Sequence, residues 1–320
     1  LVKHLAMRRT LFAFPRETLP FAQAGASARV AATERRRVKQ QIEAAGVHPD
    51  GGRWLEDACE LVLGALSDGR QDTMAEIRKD IPLLEGSVEF GVGKRWGGRV
   101  AIAPWVLTVL SAEGRVVRAT NDGGWTTSRP RWASTESWLG RPLQPPSEAE
   151  GVAELVRQWL RAFGPGTEAD IKWWLGSTLA AVRRALADVG AVEVDLDGHT
   201  GYLLPDDLEP TEPVELWGAL LPALDPTTMG WTERDWYLGP YKQQLFDTAG
   251  NAGPTVWWDG RIVGGWRQSE SGDVVVQLLE DIGSGGTVTV EAEAARLTPW
   301  LAGKRVLPRF PSPLFAATGG

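Results

Sequence analysis

The sequence predicts an α+β protein in which tandem winged helix-turn-helix units precede a C-terminal β-rich, barrel-like domain. Three observations carry this. Three helices followed by a β-hairpin occur twice, in residues 51–140 and again in 148–208. Proline-rich linkers, Arg141-Pro142-Leu143-Gln144-Pro145-Pro146 and Glu209-Pro210-Thr211-Glu212-Pro213, flank the second copy. Beyond the second linker the pattern turns to strands and hairpins.

Residues 1–50 read as the remainder of a first winged-helix unit and a long helix. The opening residues look helical and run into Arg8-Arg9-Thr10-Leu11. Thr10-Leu11-Phe12-Ala13-Phe14 is strand-like and stops at Pro15. A helix is then expected from Leu19 to Ala45, ended by Gly46. The start on Leu1 suggests that an N-terminal piece is missing.

In residues 51–140 a helix is expected from Trp54 to Leu66, stopping at Ser67-Asp68-Gly69-Arg70. Thr73 with Glu76 three residues on is a capping-box pattern, opening a short helix that ends before Pro82. A third helix spans Ala103 to Ala112. Arg115 to Ala119 alternates like a strand, Asn121-Asp122-Gly123-Gly124 signals a turn, and Trp125-Thr126-Thr127 is the return strand.

Residues 148–208 repeat that order. Glu148 to Phe163 is a helix ended by Gly164-Pro165-Gly166. Thr167 with Asp170 opens a short helix through Leu175, and Ser177 or Thr178 caps another through Val189, ended by Gly190. Val192 to Leu196, Asp197-Gly198 and Gly201 to Leu204 then form a hairpin. Residues 213–320 give the β-rich domain. A hairpin turns at Asp259-Gly260, a strand covers Val274 to Leu279, a helix covers Glu291 to Leu301, and the tail from Pro308 is extended.

Composition excludes several chemistries. One cysteine, Cys59, allows no internal disulfide and fits a reducing, cytoplasmic setting; its helical context reads as a buried small residue. The three histidines, His4, His48 and His199, are far apart, so no metal site is expected, and no cofactor. No Gly-x-Ser-x-Gly turn is present. No stretch is apolar enough to span a bilayer. A net charge of −7 argues against a uniformly basic nucleic-acid surface and leaves room for a local basic face. The 16 tryptophans read as core packing. Gly91-Val92-Gly93-Lys94-Arg95-Trp96-Gly97 does not follow a clear strand and is not a nucleotide-binding loop. Asp225, Asp235, Asp247 and Asp259 read as turn and cap residues.

The winged-helix order names candidate DNA contacts, because the third helix of such a unit enters the major groove and the wing touches backbone. In the second copy these are Thr178, Arg183 and Arg184. In the first they are Lys94, Arg95 and Arg99 at the flank and Arg129 and Arg131 on the wing. Arg35, Arg36 and Arg37, with Lys39, form either a solvated helix face paired with Glu34 and Glu43 or a phosphate-contacting stripe. Arg8 and Arg9 complete the DNA-binding set.

Four blocks carry a family resemblance in order. They are Met7 to Phe12; Phe163 to Asp170 with Trp173-Trp174; Leu220 to Pro226; and Gly253 to Trp266. Together they resemble the winged-helix DNA glycosylases of the AlkZ/YcaQ type, which act on alkylated bases and crosslinks. The resemblance implies three tandem winged helices and a barrel-like C-terminal domain. It also implies a Gln-x-Gln or Gln-x-Asp motif that positions the hydrolytic water. No such motif occurs in these 320 residues. Family order puts it upstream of Arg9-Thr10-Leu11, so the catalytic residues stay unassigned and the chain as given is expected to be inactive. Phe12 also departs from the histidine that many relatives carry after Thr-Leu.

Three readings follow: a monofunctional glycosylase, a non-catalytic winged-helix DNA-binding protein or regulator, and a protein-interaction scaffold. For the first two the expected partner is double-stranded DNA, damaged or intact, with no membrane, bound by a monomer.

Overall fold

The computed structural model describes residues 1–90, 97–124, 126–308 and 311–318. In chain order the elements are β1 (Val2–Ala6), β2 (Thr10–Phe14), α1 (Leu19–Ala22), α2 (Ala28–Ala44), α3 (Gly51–Ala65), β3 (Asp72–Thr73), α4 (Met74–Asp80), β4 (Ser87–Phe90), β5 (Gly98–Ala101), α5 (Ala103–Ala112), β6 (Val116–Asn121), β7 (Pro130–Ser134) and α6 (Thr135–Leu139). Then come α7 (Glu148–Phe163), α8 (Glu168–Leu175), α9 (Leu179–Asp188), β8 (Val192–Leu196), β9 (His199–Leu203), β10 (Gly218–Leu221), α10 (Pro226–Met229), α11 (Asp235–Leu238), α12 (Lys242–Leu245), β11 (Thr255–Trp258), β12 (Arg261–Gln268), β13 (Val274–Leu278) and α13 (Gly283–Trp300). The fold is mixed α/β, in two compact units. Unit 1 comprises Leu1–Trp159 with Leu175–Ala191; unit 2 comprises Leu160–Trp174 with Val192–Gly320.

Unit 1 holds an antiparallel sheet ordered β2-β1-β6-β7-β3 and the separate hairpin β4-β5. Its helical core joins Val38 and Ile42 of α2 to Leu55 and Val62 of α3, Ile77 of α4, and Leu107 and Leu110 of α5. α1 and α2 are one helix interrupted by a π turn at Gln23–Ser27. There the backbone meets α7 with nothing between: a Cβ on Gly25 would lie 2.5 Å from the carbonyl carbon of Gly151. Thr73 caps α4 with the reciprocal Glu76 bond, as the sequence predicts.

Unit 2 holds the β8-β9 hairpin, whose turn residues Asp197 and Gly198 both have positive φ (50° and 87°). It also holds a sheet ordered β10-β11-β12-β13. Val256 and Val263 face Val290 of α13, while Trp257 and Ile262 face Tyr237, Leu238 and Leu245 on the opposite side. Helices therefore cover both faces, which is why Val256 to Trp266 reads as a nearly continuous apolar run.

The structure corrects several sequence expectations. The opening residues form strand β1, paired with β2 from Val2↔Phe14 to Ala6↔Thr10. Its inward residues are Val2, His4 and Ala6, and the histidine disguises the alternation. β4 stands immediately before the glycine-rich run 91–97, where no strand was expected. The first wing returns later than Trp125-Thr126-Thr127: β7 begins at Pro130, opposite Asn121. The reason is an asparagine-organised loop, in which Asn121 Nδ2 donates to the Gly124 and Thr127 carbonyls and Oδ1 accepts the Arg129 N–H. Trp125 lies outside the described residues. The terminal helix starts at Gly283, eight residues before Glu291, because packing of Gly286 and Val290 overrides the poor helix propensity of the glycines. β10 was not expected. Among the described residues the C-terminal sheet is open, with β10 and β13 as edges, rather than barrel-like. Covering helices bury both faces, so closure is not needed for burial.

Candidate nucleic-acid interface

α2 carries Arg29, Arg35, Arg36, Arg37 and Lys39. Ala31, Glu34, Val38 and Ile42 are its buried residues. Arg35, Arg36 and Lys39, at helical spacing on the adjoining face, line a cleft of about 840 Å³ against the start of α3. Arg53 and the carboxylates of Asp50, Glu56 and Asp57 complete the wall. Asp50 is spent on structure: it accepts the Arg53 N–H at 3.0 Å as the cap of α3, and that bond holds its carboxyl below the usual range. Arg35 is spent too, with Glu113 at 2.8 Å and Glu56 at 3.8 Å. Arg36, Lys39 and Arg53 are exposed at the rim.

The β1–β2 corner carries Arg8 and Arg9. Arg9 is bidentate on Glu34, Nε to Oε1 at 2.7 Å and Nη2 to Oε2 at 3.2 Å. Arg37 donates to the same carboxylate at 2.6 Å. Arg8 packs toward the start of α9: a Cβ on Gly176 would lie 3.4 Å from Arg8 Cγ. Thr178 caps α9 by accepting the Ala181 N–H, and Arg183 and Arg184 are exposed on that helix. Residues remote in sequence, Arg8 and the α9 N-terminus, are thus neighbours in unit 1.

The first wing supplies less than its sequence suggests. Arg131 donates to Asp122 through two bonds of 2.7 and 3.1 Å, to the Gln71 carbonyl and to Glu76, so its guanidinium ties the loop to α4. Arg129 is exposed. Arg99 on β5 donates to Ser87 across the hairpin. Lys94 and Arg95 lie outside the described residues.

The burial of Glu34 and of the pair His4–Gln23 is not apparent from the sequence. Gln23 donates through Nε2 to the Ala112 carbonyl at 3.1 Å, so its Oε1 faces His4 Nε2 at 2.8 Å. Burial pushes the imidazole down to about 4, so it is neutral at pH 7 and Nε2 carries the proton. The one available signal was period two, with His4 between Val2 and Ala6. Cys59 is buried, its thiol raised to about 12 by burial, and it is inert at neutral pH. Asp225 and Asp247 serve a cap and a turn. Among the described residues no three His, Cys, Asp or Glu side chains are grouped to hold a metal ion. No helix among them is long and apolar enough to cross a membrane.

The family model described as "DNA glycosylase AlkZ-like" matches residues 1–300. The chain belongs to the AlkZ-like DNA glycosylase family. Among solved structures, the DNA glycosylase AlkZ of Streptomyces sahachiroi is similar in fold, with a TM-score of 0.69 at 23% identity. The alignment covers 93% of this chain and 79% of that one. No curated protein matches the chain. The residues matched include the Arg8-Arg9 corner, α2 and α9.

Proposed function

We propose that this chain binds double-stranded DNA and forms the DNA-binding frame of a monofunctional glycosylase that hydrolyses the N-glycosidic bond of alkylated purines. The observation that carries this is membership of the AlkZ-like DNA glycosylase family over residues 1–300. Residues 51–140 and 148–208 are each read as a winged-helix unit, supported by the recurrence of three helices and a hairpin (α3, α4, α5, β6-β7 and α7, α8, α9, β8-β9).

Within that frame the DNA-contacting residues are Arg8, Arg9, Arg36, Lys39, Thr178, Arg183 and Arg184, with Arg129 from the first wing and Lys94 and Arg95 from the run 91–97. Arg35, Arg37 and Arg131 act mainly as internal ties. Phosphate contacts by the arginines position the duplex, and the α9 N-terminus faces the bases. No residue is assigned to the hydrolytic step.

The test is direct. Full-length protein is incubated with duplex DNA carrying an alkylated purine, and released base is quantified beside binding to the same duplex. Base release with salt-sensitive binding is expected. Binding without release above background would reduce the proposal to DNA recognition, and no binding at all would overturn it.

A further inference from the structure

Among the described residues of unit 1, the non-glycine residues with positive φ are Arg8 and Arg9. Neither residue is glycine, yet Arg8 has φ 52° and Arg9 φ 59°. L residues hold this left-handed region at an energetic cost, and a consecutive pair persists only where the surroundings over-determine it. Two anchors do so. Met7 is 1% exposed and pins the corner from below. Arg9 is clamped by Glu34, whose side chain is 3% exposed and also accepts from Arg37.

Glu34 occupies the core-facing stripe of α2, between Ala31 and Val38. An apolar side chain would pack there without the desolvation that a buried carboxylate suffers. What Glu34 contributes is the orientation of Arg9. A guanidinium has five N–H donors in a rigid fork, and Glu34 takes two of them. The Arg9 side chain is nonetheless 51% exposed. Its outer edge is thus fixed in direction before any ligand arrives, which suits bidentate capture of a second oxyanion such as a phosphodiester.

We propose that Glu34 is a positioning residue for DNA binding: it locks Arg9 so that the outer edge of the guanidinium takes a backbone phosphate. The proposal rests on the DNA-binding reading above. It makes a prediction opposite in sign to simple electrostatics. Removing the charge of Glu34 makes the protein less acidic, which alone tightens binding to a polyanion. Loss of positioning weakens it.

The experiment measures affinity of the full chain for a duplex oligonucleotide over a series of salt concentrations, with circular dichroism to check folding. Arg9→Gln is expected to weaken binding about tenfold and to lower the log–log salt slope by about one. Glu34→Gln is expected to weaken binding roughly fivefold, with the slope falling toward that of Arg9→Gln. Arg9→Lys keeps the charge and loses the fork, and is expected to reproduce most of the Arg9→Gln loss. Wild-type or tighter binding by folded Glu34→Gln, or wild-type binding by Arg9→Lys, overturns the proposal while DNA binding stands. If Glu34→Gln does not fold, Arg9→Lys decides. Wild-type protein that binds no duplex overturns both.

Discussion

His4 is buried on β1 with its ring nitrogen against Gln23, and that placement has a pH signature. Burial lowers its pKa from 6.5 to about 4, so in the native state the ring stays neutral where an unfolded chain would protonate it. Between those values the unfolded state binds more protons. Stability therefore rises with pH across the window, is fully present above 6.5, and is lost as pH falls toward 4. At about 1.4 kcal/mol per unit the full loss is about 3 kcal/mol. His4→Gln removes the titration. Urea unfolding of both proteins from neutral pH to pH 4.5 is expected to show the wild type losing more stability than the variant, and parallel curves would refute this assignment. A histidine at an inward position of β1, between Val2 and Ala6, is also what concealed that strand in the sequence. Periodicity counts His as polar, and only the Gln23 partner nineteen residues away makes it an interior residue.

At the scale of elements, the sequence was most legible where a local rule acts through neighbouring residues. The Thr73–Glu76 box, the Asp197-Gly198 and Asp259-Gly260 turns, and the starts of α7 and α9 all follow from caps and turn chemistry within a few residues. It was least legible where tertiary contact decides. β10 is four residues long and its pairing with β11 lies more than thirty residues away in sequence, so no local pattern announces it. The same contrast yields a prediction about helix glycines. Gly25 sits where two backbones touch, and alanine there would meet Gly151 at 2.5 Å. Overpacking costs roughly 1–3 kcal/mol, beyond the gain in helix propensity of up to about 1. Gly64 on α3 has nothing within 4 Å of its Cβ position. Gly25→Ala is thus expected to lower the melting temperature, and Gly64→Ala to raise stability by roughly 0.5–1 kcal/mol. A rise in stability for both would show that helix propensity, not the approach to α7, governs Gly25.

For the whole molecule the open question is how a chain of net charge −7 holds a polyanion. Many of its arginines are already matched. Arg9 and Arg37 share Glu34, Arg35 meets Glu113, and Arg131 meets Asp122 and Glu76. These pairs organise unit 1 and lend it little net positive potential. The candidate site was therefore legible in the sequence as a set of residue types, and the Arg37–Glu34 tie as a neighbouring pair, while the ties of Arg9 to Glu34, Arg35 to Glu113 and Arg131 to Glu76 join residues 25, 78 and 55 positions apart and were not. Cations such as Arg36 and Lys39, exposed on one rim of the α2–α3 cleft, carry more weight in this account than the count of basic residues implies. Each phosphate neutralised by such a group releases about 0.9 of a counterion, so binding should weaken steeply with salt even though the protein is acidic overall. Replacing Arg36 and Lys39 together by glutamine is expected to lower the log–log salt slope by about two and leave the unfolding transition within about 0.5 kcal/mol, because both side chains are exposed. An unchanged slope with intact folding would move the phosphate track off α2 and onto the hairpins and α9. There Arg129, Arg183 and Arg184 are exposed, and the same substitution and salt series would then be read at those positions.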